Sequence, residues 1–217
     1  MSDSVLRKFA SLLYRAWEHP PQKWARLMQM TPREREYVAD IIHGRNFLEI
    51  GSGYSTLWFS RCAARIVSVE TREKWFLRIN RLINRNKLTN VELILLPPEP
   101  CAYDDRGNEK WKNRNGLSDY GKVEEFTGYL QGIQSLLKSK RFDVVLVDGN
   151  IRHAVVELLC KEQRSARILL HDVLPERDYL NNPILGLVSV KVVHQIDTLV
   201  ELSCAQQVDT GMAERTD

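Results

Sequence analysis

Residues Asn46–Ser60 read NFLEIGSGYSTLWFS: a short apolar run, a turn holding Gly51 and Gly53, then residues with helical spacing. A buried strand that passes through glycines straight into a helix is the opening of a β-turn-α unit, and such units build parallel sheets. Glycine at 51 and 53 lets the chain turn sharply and come close to a ligand where a Cβ would clash. The helix that follows offers free N–H groups to a negative group.

Outward from this turn the same rhythm repeats. RIVSVE (65–70), VELILL (91–96), FDVVLVD (142–148) and RILLHD (167–172) are further apolar runs, each separated from the next by a helix-length segment. They are continuous rather than alternating, as strands covered on both faces must be. The last apolar stretch, VSVKVVHQIDTLVELSCA (188–205), differs: two β-rich runs flank a turn expected around Gln195–Asp197, which predicts an antiparallel hairpin at one sheet edge. One domain is expected over 45–205, with helices over 1–44 packing on it and a tail at 206–217 that frays. Within the first segment, Val5, Leu6, Phe9, Leu12, Leu13, Ala16 and Trp17 share one helical face. That stripe also suits an interfacial membrane helix, and packing on the domain is the favoured reading. TPRE (31–34) announces a second helix, with Thr31 as N-cap, Pro32 in the first turn and Glu34 closing a capping box, running to about Ile42. Residues 97–122, polar and rich in turn formers, are longer than an ordinary connection and are read as an acceptor-recognition lid or a flexible insertion.

The chain has 217 residues, 43% of them hydrophobic and 27% charged, which suits a single globular domain and argues against disorder of its body. A formal charge of +3 from 31 basic and 28 acidic residues is too small and dispersed to indicate nucleic acid or an anionic membrane. Lys74, Arg78, Arg81 and Arg85 line one helix face, read as solvated. No run is long enough to span a bilayer, and no apolar core of a signal peptide opens the chain. Cys62, Cys101, Cys160 and Cys204 form no CxxC pair, which predicts reduced thiols and a cytoplasmic protein.

A GxG turn alone names no ligand. Glu70 ends the second strand nineteen residues after Gly51, where a carboxylate can accept both hydroxyls of a ribose. NAD and S-adenosylmethionine both carry that ribose. Dinucleotide binding calls for a third glycine, but Ser55-Thr56 stand here, and Glu49 suits the ammonium of a methionine moiety, directly or through water, better than a pyrophosphate. The residues therefore favour S-adenosylmethionine, bound by Glu49, Gly51, Ser52, Gly53, Ser55, Thr56, Glu70 and Asp148.

In order and spacing, FLEIGSGYST, IVSVE, VELILL, FDVVLVDGN and RILLHDV resemble the successive motifs of class I S-adenosylmethionine-dependent methyltransferases over 46–174. The resemblance is closest to a largely uncharacterised methyltransferase-like group with GSGxST and HDxxxxRxY patterns, met here by Trp75, Arg152, His171, Asp172, Arg177 and Tyr179. The glycine pair usual before the fifth strand is replaced by EQRSAR (162–167). The resemblance implies a Rossmann-like α/β fold: a mostly parallel seven-stranded sheet of order 3-2-1-4-5-7-6, with cofactor over the carboxyl ends of strands 1 and 2.

Methyl transfer from a sulfonium needs an aligned acceptor and a route for its proton. Asp148 is the leading candidate, as ligand of the cofactor amine, as base or as metal ligand; its structural alternative is a cap of the following helix. His171, whose ordinary pKa suits proton abstraction near neutral pH, and Asp172 complete the catalytic set. Asp148, His171 and Asp172 could hold a divalent metal, though hydrogen bonding among His171, Asp172 and Arg177 is favoured over one. Arg152, His153, Arg177 and Tyr179 are assigned to the acceptor, Trp75 to core packing or the adenosine side. No Asn-Pro-Pro motif follows strand 4, which argues against base methylation. The expected activity is O-methylation of a small-molecule or glycan-type hydroxyl, with acceptor identity and oligomeric state open. A non-catalytic cofactor-binding module and an NAD-dependent oxidoreductase are the alternatives.

Overall fold

The computed structural model describes Trp24 and residues 27–102, 123–163, 165–174 and 190–204. Helix α1 (Pro32–Ile42) precedes strand β1 (Asn46–Ile50), followed by α2 (Tyr54–Phe59), β2 (Arg65–Glu70), α3 (Glu73–Arg85) and β3 (Val91–Leu95). Short 3-10 turns at Pro100–Ala102 and Val123–Phe126 lead to α4 (Thr127–Ser139), β4 (Val144–Val147), α5 (Arg152–Glu162) and β5 (Arg167–Leu170). Strands β6 (Val190–Ile196) and β7 (Leu199–Cys204) complete one seven-stranded sheet of order β3-β2-β1-β4-β5-β7-β6. The first five strands run parallel, while β7 pairs antiparallel with both β5 and β6. This is the expected Rossmann-like topology.

Strand pleating divides the apolar runs between two layers. Leu48, Ile50, Val67, Val69, Val145, Val147, Ile168 and Leu170 face one cluster, which α4 and α5 cover with Ile133, Leu137, Val155 and Leu159. Phe47, Ile66, Val144, Leu146 and Leu169 face the other, covered by Val38 and Ile42 of α1 and by Phe59 of α2. Ile79 and Ile83 of α3 pack with Leu57 and Trp24. Because β1 neighbours both β2 and β4, the chain reverses its direction of travel across the sheet at β1, leaving a crevice at the carboxyl ends of β1 and β4.

Helix α1 starts as TPRE predicts. Thr31 Oγ1 accepts from the Glu34 N–H at 3.2 Å and Glu34 Oε2 accepts from the Thr31 N–H at 2.7 Å. Two expectations are corrected. The hairpin turn is Asp197-Thr198, tighter than expected and shifted toward β7, because Asp197 takes a left-handed φ of 50° and β6 pairs as far as Ile196. Cys160 and Cys204 form a disulfide between α5 and β7, their Cα atoms 5.5 Å apart, so Cys62 and Cys101 are the two cysteines outside a disulfide. Sequence spacing hid the pair, which only the packing of α5 beside the hairpin brings together. Among the described residues no helix is long and apolar enough to cross a membrane. The stripe from Val5 to Trp17, residues 103–122 of the expected lid and the tail at 206–217 lie outside the described residues.

Candidate functional site

A cavity of about 430 Å³ opens at the carboxyl ends of the central strands, a size that suits a cofactor or drug-sized ligand. Gly51, Ser52, Gly53 and Ser55 wall it on the β1 side, Glu70, Thr71, Arg72 and Trp75 on the β2 side. Asp148, Gly149, Asn150, Arg152 and Asp172 close the far side, Tyr129 a third, and residues 27–30 the mouth.

The two glycines of the turn play different parts. Gly51 has φ +105°, and a Cβ there would stand 2.5 Å from the Asp148 carbonyl oxygen. Its glycine is thus required by the close approach of the β1 and β4 ends, not by a ligand. Gly53 has an extended φ of −167°, open to any residue, and its N–H donates to Thr56 Oγ1 at 3.0 Å.

Glu49 and Thr56 lie beneath the turn rather than on the cavity wall. Both are buried; Thr56 Oγ1 donates to Glu49 Oε2 at 2.5 Å and Ser68 Oγ to the same oxygen at 2.6 Å. Glu49 and Ser68 are register partners on β1 and β2, so they share the face covered by the helices α1 and α2. Burial pushes the Glu49 carboxyl up to about 7, against the hydroxyls of Ser55, Ser68 and Thr56 that favour its charge. Direct capture of an ammonium by Glu49, and contact of Thr56 with a ligand, do not fit this placement. Among the described residues, Glu49 Oε1 finds no hydrogen-bond partner.

Glu70 does face the cavity. Its Oε2 accepts from Ser52 Oγ at 3.0 Å, and its Oε1 from the N–H groups of Thr71 and Arg72 at 2.9 and 2.8 Å. Burial nevertheless raises its pKa above the ordinary carboxylate value. Trp75 donates its indole N–H to the Ser52 carbonyl at 2.7 Å and meets Tyr54 edge-on at 6.0 Å between ring centres. Arg78 lies over both rings as a cation–π partner, while the whole basic stripe, Arg78 included, is exposed as expected.

At the opposite wall, charges interlock. Arg152 is 4% exposed and bonds Asp148 Oδ1 through Nη2 at 3.1 Å, the Gly149 carbonyl through Nε at 2.9 Å and the His171 carbonyl through Nη1 at 2.5 Å. Asp172 Oδ2 stands 3.6 Å from the same Nη2. His171, fully buried, has Nδ1 3.1 Å from Asp148 Oδ1 and Nε2 3.5 Å from Glu34 Oε2, the latter a charge contact too long for a good hydrogen bond. Thr198 fixes the other Glu34 oxygen, through its N–H at 2.8 Å and its hydroxyl at 2.9 Å. Two non-glycine residues in left-handed backbone, Ile151 at φ 42° and Asp172 at φ 56°, flank this array, a location where strain is often held for function.

The reading of His171 as general base is corrected by this geometry. Burial alone would lower its pKa, but the carboxylates of Asp148, Glu34 and Asp172 hold it up at about 10, leaving an imidazolium with no lone pair to accept a proton. Burial raises Glu34 in turn, and the charge contact with His171 together with hydrogen bonds from Thr31 and Thr198 overcomes this to hold it at about 2. The possible metal set also fits poorly. Asp148, His171 and Asp172 each place one atom within 4.8 Å of the others, but the Arg152 guanidinium bonds one carboxylate and approaches the second, and His171 is protonated. Arg152 takes the bridging part that the sequence assigned to Arg177, which lies with Tyr179 outside the described residues. Of the other acceptor candidates, Arg152 lines the cavity, whereas His153 is buried off it, its pKa lowered by burial.

Sequence reasoning missed Glu34 as a site residue, because its capping-box role already accounted for it, and Tyr129, because an aromatic residue on an apolar helix face reads as core. Asn150 was also missed; its Nδ2 donates to Thr71 Oγ1 at 3.2 Å and ties the two walls together.

No protein-family model matches the chain, and no curated protein matches it. Solved structures do. A methyltransferase-like protein from Silicibacter pomeroyi is 17% identical with a TM-score of 0.62, over 89% of this chain and 93% of that one. An O-methyltransferase from Bacillus cereus in complex with SAH is 20% identical, TM-score 0.54, over 95% and 92%. An SAH-bound methyltransferase from Podospora anserina is 14% identical, TM-score 0.54, over 95% and 97%. At these identities the likeness carries the fold, which is class I methyltransferase-like.

Proposed function

We propose that this chain, with its class I methyltransferase-like fold, is an S-adenosylmethionine-dependent methyltransferase that methylates a hydroxyl of a small-molecule or glycan-type acceptor. The observation that carries the reading is the cavity itself: Glu70 faces it from the end of β2, Asp148 and Asp172 from just beyond β4 and β5, and Arg152 from the start of α5. In this reading Ser52, Gly53, Ser55 and Glu70 hold the adenosine side, with Trp75 beside them. Glu49 acts from below, its bond from Thr56 helping to fix the shape of the turn. When bound, the cofactor supplies an already activated methyl group, so the chain's work is alignment, exclusion of water and disposal of one proton. Asp148, held by Arg152 and His171, presents a charged carboxylate that can accept a hydrogen bond from an ammonium or from the acceptor hydroxyl. Arg152, paired with Asp148 and close to Asp172, fixes the two carboxylates that face the acceptor side.

Calorimetry with S-adenosylhomocysteine tests the binding step: micromolar affinity is expected, weakened about tenfold or more by Glu70→Ala, in keeping with lost hydrogen bonds to a charged group. No heat and no thermal shift with the unaltered protein would overturn the proposal. A second reading, a cofactor-binding module without transfer activity, draws on one observation: His171, the most obvious base, is fully buried against Asp148 and Glu34 and is not one of the residues lining the cavity. Transfer of a radiolabelled methyl group to any component of a cell extract, abolished by Asp148→Asn, would rule that out.

A further inference from the structure

Tyr129 stands in the first turn of α4, 1% exposed, with its ring packed edge-on against Phe126 at 5.8 Å and embedded in the larger core cluster. Tyr129 is one of the residues lining the cavity, and its buried hydroxyl has no hydrogen-bond partner among the described residues. It stands 3.2 Å from where a Cβ on Gly149 would be, so it reaches the wall beside a position that carries no side chain. Glu70 and Arg152 are both near enough to act on it electrostatically. Phenylalanine would fill the same space, and leaving a buried hydroxyl unpaired costs about 1–3 kcal/mol, so packing gives no reason for the oxygen. Burial, reinforced by the negative charge of Glu70 and opposed by Arg152, raises the phenol's pKa well above its ordinary value and keeps it a donor.

Resting on the cofactor reading above, we infer that the Tyr129 hydroxyl donates a hydrogen bond to a ribose oxygen of the bound adenosine moiety, opposite the carboxylate of Glu70. The pairing is chemically complementary. A ribose hydroxyl that donates to Glu70 still has lone pairs to offer, and Glu70 can only accept. Tyr129 supplies the missing donor, making it a cofactor-binding residue.

Tyr129→Phe with S-adenosylhomocysteine as probe separates the possibilities. Affinity by calorimetry should fall about five- to tenfold, the loss of one hydrogen bond, while the thermal midpoint of the ligand-free protein stays level or rises. An affinity within twofold of the unaltered protein would overturn the inference while leaving the cofactor reading intact. So would a lower ligand-free midpoint, since it would mean that the hydroxyl serves the fold. Absence of binding by the unaltered protein would remove the cofactor reading and the inference with it.

Discussion

Asp148 carries its charge between two cations, Arg152 and His171, and the second of these is itself braced by Glu34. Removing one partner from a buried ionic array leaves charge uncompensated, so His171→Gln is expected to cost about 3 kcal/mol by denaturant titration. The pH dependence follows from three groups. His171, raised to about 10, contributes stability that is complete below its ordinary 6.5 and lost as pH rises toward 10. Glu34, depressed to about 2, contributes stability present above its ordinary 4.5 and lost as pH falls toward 2. Glu49, raised to about 7, favours the fold most below 4.5 and loses that contribution as pH climbs through 7. Stability should therefore peak at about pH 5 to 6 and decline on the alkaline side, and His171→Gln should flatten that decline. Gly51→Ala would put a methyl 2.5 Å from the Asp148 carbonyl at a left-handed φ, and should destabilise by about 3 kcal/mol or more in the same titration. At this scale the sequence is legible only in part. Gly51 and Glu70 could be singled out because their chemistry depends on strand ends, whereas the charge of His171 depends on carboxylates contributed by α1 and β4.

Helix α1 links local signal and distant function. Thr31 caps its start and also donates to Asp197 Oδ2 at 2.7 Å, so Thr31→Ala should remove about 1 kcal/mol, a drop of roughly 2–4 °C in thermal midpoint. Glu34→Gln keeps much of the capping geometry but withdraws a charge from His171; the alkaline decline in stability should still set in near pH 6.5 but be smaller and finish at lower pH than in the unaltered protein. The strands were legible nearly to the residue, since a sheet covered on both faces leaves its apolar runs unbroken: NFLEI and RIVSVE match β1 and β2 end to end. The hairpin turn was placed too early because β6 is largely exposed, so Gln195 could be read as turn-forming although it pairs with Val200. Helix α4 announces its core face through Ile133, Leu136 and Leu137, and that very regularity hid Tyr129, the residue of this helix that lines the cavity.

At the scale of the molecule, topology was legible because alternation of strand and helix admits few arrangements, and the switch point placed the crevice before any side chain was considered. What escaped were links such as the Cys160–Cys204 disulfide, which only packing across distant parts of the chain makes. Thiol titration of the unfolded, unreduced protein should count two reactive cysteines of four, and reduction should lower stability by up to about 4 kcal/mol. Glu34 makes the same point from the other end of the chain: its oxygens answer to Thr31 beside it and to Thr198, 164 residues later. A ribosome delivers those partners many seconds apart. Until the hairpin has emerged and docked, the carboxylate beneath His171 lacks its final ligands, so the charged wall of the cavity is finished last, and premature termination before residue 198 yields a chain with its glycine turn but without a completed site.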